Sequence, residues 1–125
     1  KDGAPVLVVG SPGGSRIIGY VAKTIIAHLD WGMNVQEAID VPHLVNRFGT
    51  YDVEGGRTPA SLMTALTEQG FEVNPRDLNS GLHAISLGNA LLGGADNRRE
   101  GVAIGERTHP TVGQWPRKNL NVVRF

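Results

Sequence analysis

The sequence predicts an α+β fold in which helices pack on a largely antiparallel sheet. Its apolar residues follow a helical period in some segments and a strand period in others. Several candidate strands follow one another with no helix between them, whereas a doubly wound parallel sheet requires a helix after each strand. The 125 residues include no cysteine, so a hydrophobic core must hold the fold without disulfides.

A short strand followed by a long helix opens the chain. Residues 5–9 form a continuous apolar run that stops at a glycine-rich segment, which is typical of a buried strand ending in a turn. From Ile17 to Leu29 the apolar residues recur on one helical face over more than three turns. Gly32 then closes this predicted helix.

A short helix and a hairpin are predicted next. Asn34 and Glu37 have the spacing of a capping box, and Pro42 limits the helix that they open to about one or two turns. The apolar period then changes to two in residues 44–48 and 51–54. These two segments flank Gly49 and Thr50 and therefore predict a hairpin.

A third helix and a group of strands complete the prediction. Thr58 is expected to cap the helix, with Pro59 at its first position and Gly70 just beyond its end. Turn residues separate the extended segments that follow. These segments are 71–73, 82–87, 90–94 and 101–105.

Two parts of the chain differ in their balance of basic and acidic residues. Residues 1–106 carry eight basic and twelve acidic side chains, whereas residues 107–125 carry four basic side chains and no acid. The dispersed charges of the first segment argue against nucleic acid as a partner. No apolar run approaches the roughly 20 residues of a membrane span. We therefore predict one domain over residues 1–105 and a basic appendage over residues 106–125.

The candidate functional site is the glycine-rich turn at residues 10–15, between the first strand and the long helix. Its glycines can direct successive backbone N–H groups toward one point, and the helix start adds free donors. Such a turn can receive a phosphate or the transient oxyanion of an acyl-transfer reaction. The spacing matches neither nucleotide-binding fingerprint, and Ser15 is not in a nucleophile elbow. A turn that only packs and binds no ligand is the structural alternative.

Other polar residues are expected to be structural. The four histidines have no metal-ligand spacing, and neither a metal nor a cofactor is expected. The polar run at residues 96–100 is expected to be a solvated turn. The four histidines are His28, His43, His83 and His109.

Several motifs occur in an order that is typical of one enzyme family. They are GSPGGSRII at residues 10–18, GMNVQEA at 32–38, SGLHAI at 80–85 and GADNRREG at 94–101. Over residues 4–105 the chain resembles the C-terminal part of the small subunit of gamma-glutamyltransferases. These enzymes are N-terminal-nucleophile hydrolases with a four-layer αββα fold, and the resemblance implies a periplasmic or secreted protein.

The resemblance also implies a reaction and a role for the glycine turn. Members of the family are precursors that cut themselves into two subunits, and the new N-terminal Thr attacks the gamma-glutamyl carbonyl of glutathione or a related compound. The acyl group then passes to water or to an amine acceptor. By position, Gly13 and Gly14 correspond to the pair whose backbone N–H groups form the oxyanion hole.

This chain departs from the family pattern at both ends. It begins at Lys1 instead of the family's Thr-Thr-His start, so we expect an inactive fragment whose partner is the remainder of the same precursor. Its strand edge predicts self-association, and residues 106–125 resemble nothing in the family.

Related amidases such as cephalosporin acylases share the fold. A non-catalytic domain that binds an anion at Gly13 and Gly14, and a purely structural fragment, are the alternatives.

Overall fold

The computed structural model describes residues 1–105 and the backbone of residues 121–124. Strand β1 (Leu7–Gly10) leads through a 3-10 turn (Gly14–Arg16) into helices α1 (Ile17–Leu29) and α2 (Val35–Asp40). Strands β2 (Leu44–Arg47) and β3 (Thr50–Glu54) precede helix α3 (Ala60–Glu68). The remaining strands are β4 (Glu72–Arg76), β5 (His83–Leu87), β6 (Leu91–Ala95), β7 (Val102–Gly105) and β8 (Asn121–Arg124).

The strands form two three-stranded sheets and a two-stranded ribbon. The first sheet has the order β1-β5-β6 and is antiparallel throughout, and the ribbon β7-β8 is also antiparallel. The second sheet has the order β2-β3-β4, in which the β2-β3 hairpin is antiparallel but β3 and β4 are parallel. The crossover through α3 makes this parallel pair possible. The α+β prediction with largely antiparallel strands is therefore confirmed.

The predicted helix boundaries are mostly confirmed. Helix α1 begins at Ile17, and the capping box of α2 is complete. In that box Asn34 accepts from the N–H of Glu37, while the Glu37 carboxylate accepts from the N–H of Asn34, each at 2.9 Å. The prediction for Thr58 is wrong by one residue, since Pro59 occupies the cap position of α3. The N–H of Thr58 donates to the carbonyl of Glu54 at 3.0 Å, which holds Thr58 in the preceding turn.

The core lies where α1 and α2 pack against the two sheets. Helix α1 faces it with Tyr20, Thr24 and Ala27, which are all buried. The apolar stripe predicted for α1 is therefore wrong as its core-facing side: none of the stripe residues is buried, and Ile18 and Leu29 are 81% and 52% exposed. The buried residues that form the core cluster are Tyr20, Val35, Ile39, Val45, Leu78, Leu82 and Ala84.

Most of the predicted basic appendage lies outside the described residues. Of residues 106–125, the structure describes only the backbone of β8, which pairs with β7 so that Val102 lies opposite Arg124. The division into a domain at 1–105 and a foreign tail at 106–125 stays a prediction. No helix in the described part of the chain has the length and apolar character needed to cross a bilayer.

Candidate functional site

The glycine turn, residues 10–15, contains two consecutive glycines with positive φ. The φ angles are +140° at Gly13 and +59° at Gly14, which other L-residues rarely adopt. A Cβ on Gly13 would also lie 2.8 Å from Cε2 of Tyr20, whereas a Cβ on Gly14 would meet nothing within 4 Å. Position 13 thus requires glycine both for its backbone conformation and for its close packing on Tyr20, whereas position 14 requires glycine for its conformation alone.

Two backbone donors of this turn are available to a ligand. Among the described residues, no hydrogen bond is donated by the N–H of Gly13 or of Gly14. Gly14 is exposed and Gly13 is half-buried. The turn leads directly into α1, whose start contributes a partial positive charge. Backbone donors arranged in this way are the groups with which a protein can bind a small anion.

An ion pair fixes the C-terminal end of the turn. Nη2 of Arg16 donates to Oδ2 of Asp52 at 2.6 Å, and Nε donates to the same oxygen at 3.3 Å. Nδ2 of Asn74 donates to the other oxygen, Oδ1, at 2.8 Å. Burial alone would raise the pKa of Asp52, but the hydrogen bonds from Arg16 and Asn74 outweigh it and hold the pKa below its usual value.

A second polar cluster lies in the interior, which we call the buried ionic network: His43, Glu54, Ser80, Asp96 and Arg98. The guanidinium of Arg98 donates from Nε and Nη2 to the two oxygens of Glu54 at 2.6 and 2.7 Å, and from Nη1 to Oδ1 of Asp96 at 3.0 Å. Asp96 is fully buried, and the Arg98 side chain is 5% exposed. The expectation that residues 96–100 form a solvated turn is wrong for these two, because Arg98 folds inward between two carboxylates.

The network contains a serine, a histidine and an aspartate in contact, but in an order unlike that of a catalytic triad. Ser80 donates its hydroxyl proton to Asp96, so Nε2 of His43, 2.6 Å from the same hydroxyl, must be the donor to Ser80. In a catalytic triad the histidine instead accepts the serine proton and the aspartate binds the histidine. His43, Ser80 and Asp96 are all buried, so this chain of hydrogen bonds is structural.

The charge state of the network follows from its burial. Burial, together with the cations Lys23 and Arg98, lowers the pKa of His43 to about 3, so this histidine is neutral near pH 7. For Glu54 and Asp96 burial opposes ionisation. Hydrogen bonds outweigh it and lower both pKa values, with Arg98 the main donor to Glu54 and Ser80 the main donor to Asp96. Both carboxylates are thus held as anions.

The remaining candidates from the sequence have structural surroundings. The imidazole of His28 bridges the carbonyl of Met33 at 2.8 Å and the hydroxyl of Ser86 at 2.9 Å. His109 lies outside the described residues. The described part of the chain contains no group of three or more His, Asp or Glu side chains that could hold a metal ion. A pocket of about 310 Å³ beside the network is lined by polar groups that include Glu54, Arg57 and Asp77, and not by the glycine turn.

Comparison with known proteins decides the family. Residues 1–106 match the gamma-glutamyltranspeptidase family. The chain belongs to this family. The glycine turn and the buried ionic network both lie within the matched residues.

Relatives and solved structures agree with this assignment. The chain is 37% identical to the glutathione hydrolase proenzyme of Bacillus subtilis over 84% of its own length and 19% of that protein, and 35% identical to the Escherichia coli proenzyme over 78% and 17%. A crystal structure of Helicobacter pylori gamma-glutamyltranspeptidase superposes with a TM-score of 0.75 at 30% identity. That match covers 79% of this chain and 57% of that one. The chain spans less than a fifth of the length of each of these two curated proenzymes.

The glycine turn could be located from the sequence, but the residues that support it could not. Tyr20, which packs beneath Gly13, lies off the apolar stripe predicted for α1, so the sequence pattern does not point to it. Asp52 and Glu54 lie in a predicted strand on either side of Val53, and both are buried. Acidic residues within a predicted strand were the one sequence feature that could have indicated these buried charges. Their partners Arg16 and Arg98 could not be identified from spacing, because each lies more than 30 residues away along the chain.

Proposed function

We propose that this chain supplies the oxyanion hole of an enzyme that transfers a gamma-glutamyl group from glutathione, or a related compound, to water or to an amine. The observation that supports this proposal is the glycine turn, in which Gly13 and Gly14 have positive φ and N–H groups with no acceptor among the described residues. Glutathione hydrolase proenzymes among the relatives indicate the substrate. Backbone donors of this kind stabilise the charge that develops on the carbonyl oxygen during acyl transfer.

The nucleophile belongs to a part of the precursor outside these 125 residues. In the proposed mechanism the N-terminal Thr of the small subunit attacks the gamma-glutamyl carbonyl, and the carbonyl oxygen becomes negative as the C–O bond to Thr forms. The N–H groups of Gly13 and Gly14 donate to this oxygen. The carbonyl then re-forms, the amine leaves with a proton, and water or an acceptor amine releases the acyl group.

The proposal also states where the enzyme is located and which other segments of the precursor this chain needs. We place the assembled enzyme in the periplasm or outside the cell, bound to no nucleic acid and to no membrane. The rest of the same precursor, namely the large subunit and the N-terminal part of the small subunit, is the partner of this chain. The 125 residues alone are inactive because they lack the nucleophile.

The test compares variants of the full-length precursor that contains this chain. Gly13→Val keeps the N–H but cannot keep a φ of +140° or the close packing on Tyr20, so the donor should be displaced. The expected loss in kcat/KM for a gamma-glutamyl anilide is about 10²–10³, as for one lost oxyanion donor. Gly10→Ala is the matched control, because Gly10 has no positive φ and its Cβ would meet nothing within 4 Å. Gly10→Ala should keep activity within about twofold.

Two outcomes would overturn the proposal. One is unchanged kcat/KM in the Gly13→Val precursor when its fold is intact by circular dichroism. The other is release of the anilide product by the purified 125-residue chain, which would show that the nucleophile lies within it.

The uncovered surfaces of the chain support the proposed dependence on the precursor. Strand β1 pairs only with β5 among the described strands, so its outer edge is unpaired. Val8 and Ile18 are 55% and 81% exposed. We infer that other parts of the precursor cover this edge and these apolar groups, and that the isolated chain self-associates through them. A monomeric mass by light scattering at high protein concentration would contradict this inference.

Two alternatives have specific support. A 30% identical relative, over 83% of this chain, is the acylase ACY 1 proenzyme of a Pseudomonas strain, so an amidase such as a cephalosporin acylase is the second candidate. Comparing hydrolysis of an acylated cephalosporin and of a gamma-glutamyl amide by the precursor separates the two. The third candidate is an anion-binding domain, supported by the same free N–H groups. It predicts saturable phosphate binding to the 125-residue chain, which Gly13→Val abolishes.

A further inference from the structure

The glycine turn is held on one side by the first sheet. The backbone N–H of Gly81, just before β5, donates to the hydroxyl of Ser11 at 3.2 Å. A Cβ on Gly81 would lie 2.9 Å from Cγ of Pro12, so the two segments are in close contact. This contact fixes the beginning of the turn and leaves its second half, which carries Gly13 and Gly14, to be fixed from elsewhere.

The second half of the turn is tied to the second sheet through Arg16. The N–H of Arg16 donates to the carbonyl of Gly13 at 3.2 Å, so the backbone of Arg16 is bonded to the candidate site itself. The guanidinium of Arg16 gives two hydrogen bonds to one oxygen of Asp52. A movement of this guanidinium would therefore be transmitted to the Gly13 carbonyl.

The second sheet holds the Asp52 carboxylate in place independently of the turn. Asp52 lies in the central strand β3, opposite Asn74 in β4, and the Asn74 amide occupies its other oxygen. The Asp52 side chain is 9% exposed, so water competes little for this carboxylate. Gly19 of α1 packs on Val45 of β2, where a Cβ would lie 3.0 Å from Cγ2, so the helix start is in close contact with this sheet.

From these contacts we propose that Asp52, acting through Arg16, is a positioning residue for the Gly13–Gly14 peptide N–H groups. The inference rests on the proposed oxyanion role of the turn. In this proposal neither side chain touches the substrate. Their ion pair sets the direction in which the two N–H groups point, and the energetic value of those donors depends on that direction.

Arg76 provides a control that contacts the same carboxylate. Its Nη1 lies 3.7 Å from Oδ2 of Asp52, but its side chain is 48% exposed and has no hydrogen bond to the turn among the described residues. Replacing Arg76 removes a cation near Asp52 without removing the connection to Gly13. An effect of general electrostatics would appear in Arg76 variants, whereas a positioning effect would not.

The test measures kcat and KM in the full-length precursor for Arg16→Met, Asp52→Asn, Arg16→Lys and Arg76→Met, with each rate divided by the concentration of titrated nucleophile. We expect Arg16→Met and Asp52→Asn each to lower kcat about tenfold while KM stays within about twofold, because ground-state binding does not use the turn. The double variant should be no worse than either single one. Arg16→Lys should recover part of kcat, and Arg76→Met should match the parent.

These outcomes separate the positioning role from the oxyanion role. If Gly13→Val lowers kcat but Arg16→Met and Asp52→Asn do not, the positioning proposal is overturned and the oxyanion role stands. If none of the three lowers kcat, the oxyanion role fails. A purely structural ion pair would reduce the amount of titratable enzyme and leave kcat per site unchanged, which also overturns the proposal.

A second measurement uses the 125-residue chain and does not depend on activity. In ¹H–¹⁵N spectra, Arg16→Met and Asp52→Asn should shift the amide signals of Gly13 and Gly14 while leaving that of Gly32, beyond the far end of α1, in place. Arg76→Met should leave both turn signals unchanged. Unchanged Gly13 and Gly14 signals in Arg16→Met would contradict the proposal even if the precursor variants did not fold.

Discussion

The buried ionic network contains the side chains that many hydrolases use, whereas the glycine turn offers only backbone. In the network the Ser80 hydroxyl is bound to both His43 and Asp96, and all three residues are buried. In the turn the N–H groups of Gly13 and Gly14 have no acceptor among the described residues and lie at or near the surface. The comparison shows that the types of residue present do not by themselves identify a candidate site. What identifies the turn is that it has hydrogen-bond donors that are unused and accessible to a ligand.

The largest effect should come from removing the cation of the network. Arg98→Met leaves the buried carboxylates of Glu54 and Asp96 without their common partner, and should lower the free energy of unfolding by about 3–5 kcal/mol. Arg99→Met is the matched control. Among the described residues, Arg99 hydrogen-bonds only to Asn79, at the surface, so its loss should stay within about 0.5 kcal/mol. Urea unfolding followed by circular dichroism measures both, and equal losses would contradict the structural role of the network.

The two glycines of the turn should differ in stability. Gly13→Ala combines an unfavourable φ with a methyl 2.8 Å from Tyr20, and should cost about 3 kcal/mol. Gly14→Ala has the unfavourable φ but free space, and should cost about 1 kcal/mol. Thermal unfolding of the two variants ranks them. Equal destabilisation would show that Tyr20 moves aside and does not restrict Gly13.

Between pH 7 and pH 5 the network, unlike the turn, should make stability depend on pH. His43 has a pKa of about 3 when folded and about 6.5 when unfolded, so the unfolded state binds more protons as the pH falls. Its contribution is complete above about pH 6.5, and about 2 kcal/mol is lost by pH 5. His43→Gln should remove this loss, whereas Gly14→Ala should retain it. Urea unfolding at pH 7 and pH 5 checks both, and a pH-independent parent would refute the prediction.

Two serines provide the smallest and most direct comparison. Ser80→Ala leaves the buried Nε2–H of His43 without an acceptor and should cost about 1–2 kcal/mol. Ser15→Ala, at an exposed position in the turn, should change stability by less than about 0.5 kcal/mol. In the precursor neither variant should remove activity, since neither hydroxyl is the proposed nucleophile. Loss of activity in Ser15→Ala with unchanged stability would assign that hydroxyl a role in catalysis.

The parts of the fold that obey local rules could be predicted from the sequence. The boundaries of α1, the capping box at Asn34 and Glu37, and the hairpin of β2 and β3 each depend on residues close together in the chain. The glycine turn could be predicted because paired glycines directly after an apolar strand favour a tight turn with positive φ. Local rules failed at Thr58, where a backbone hydrogen bond to Glu54 shifted the helix start by one residue.

The support of the turn and the composition of the network could not be predicted in this way. Arg98 and Glu54 are 44 positions apart, and Ser80 and His43 are 37 apart, so no periodicity connects them. A polar run such as 96–100 is solvated in most proteins. Only the tertiary arrangement of β6 and β3 brings Arg98 between two carboxylates. Without these partners, burial of the Arg98 charge would be unfavourable because of its desolvation.

The pairing of β1 with β5 has a consequence for the order of folding. Leu7 lies opposite Ser86, so the strand that leads into the glycine turn finds its partner only when a loop of about 80 residues closes. The hairpin of β2 and β3 and the capped helix α2 need only near neighbours and can form first. We therefore expect the turn to gain its final geometry late in folding, after these local elements have formed. A chain interrupted before β5 would contain both glycines but would not hold them in place.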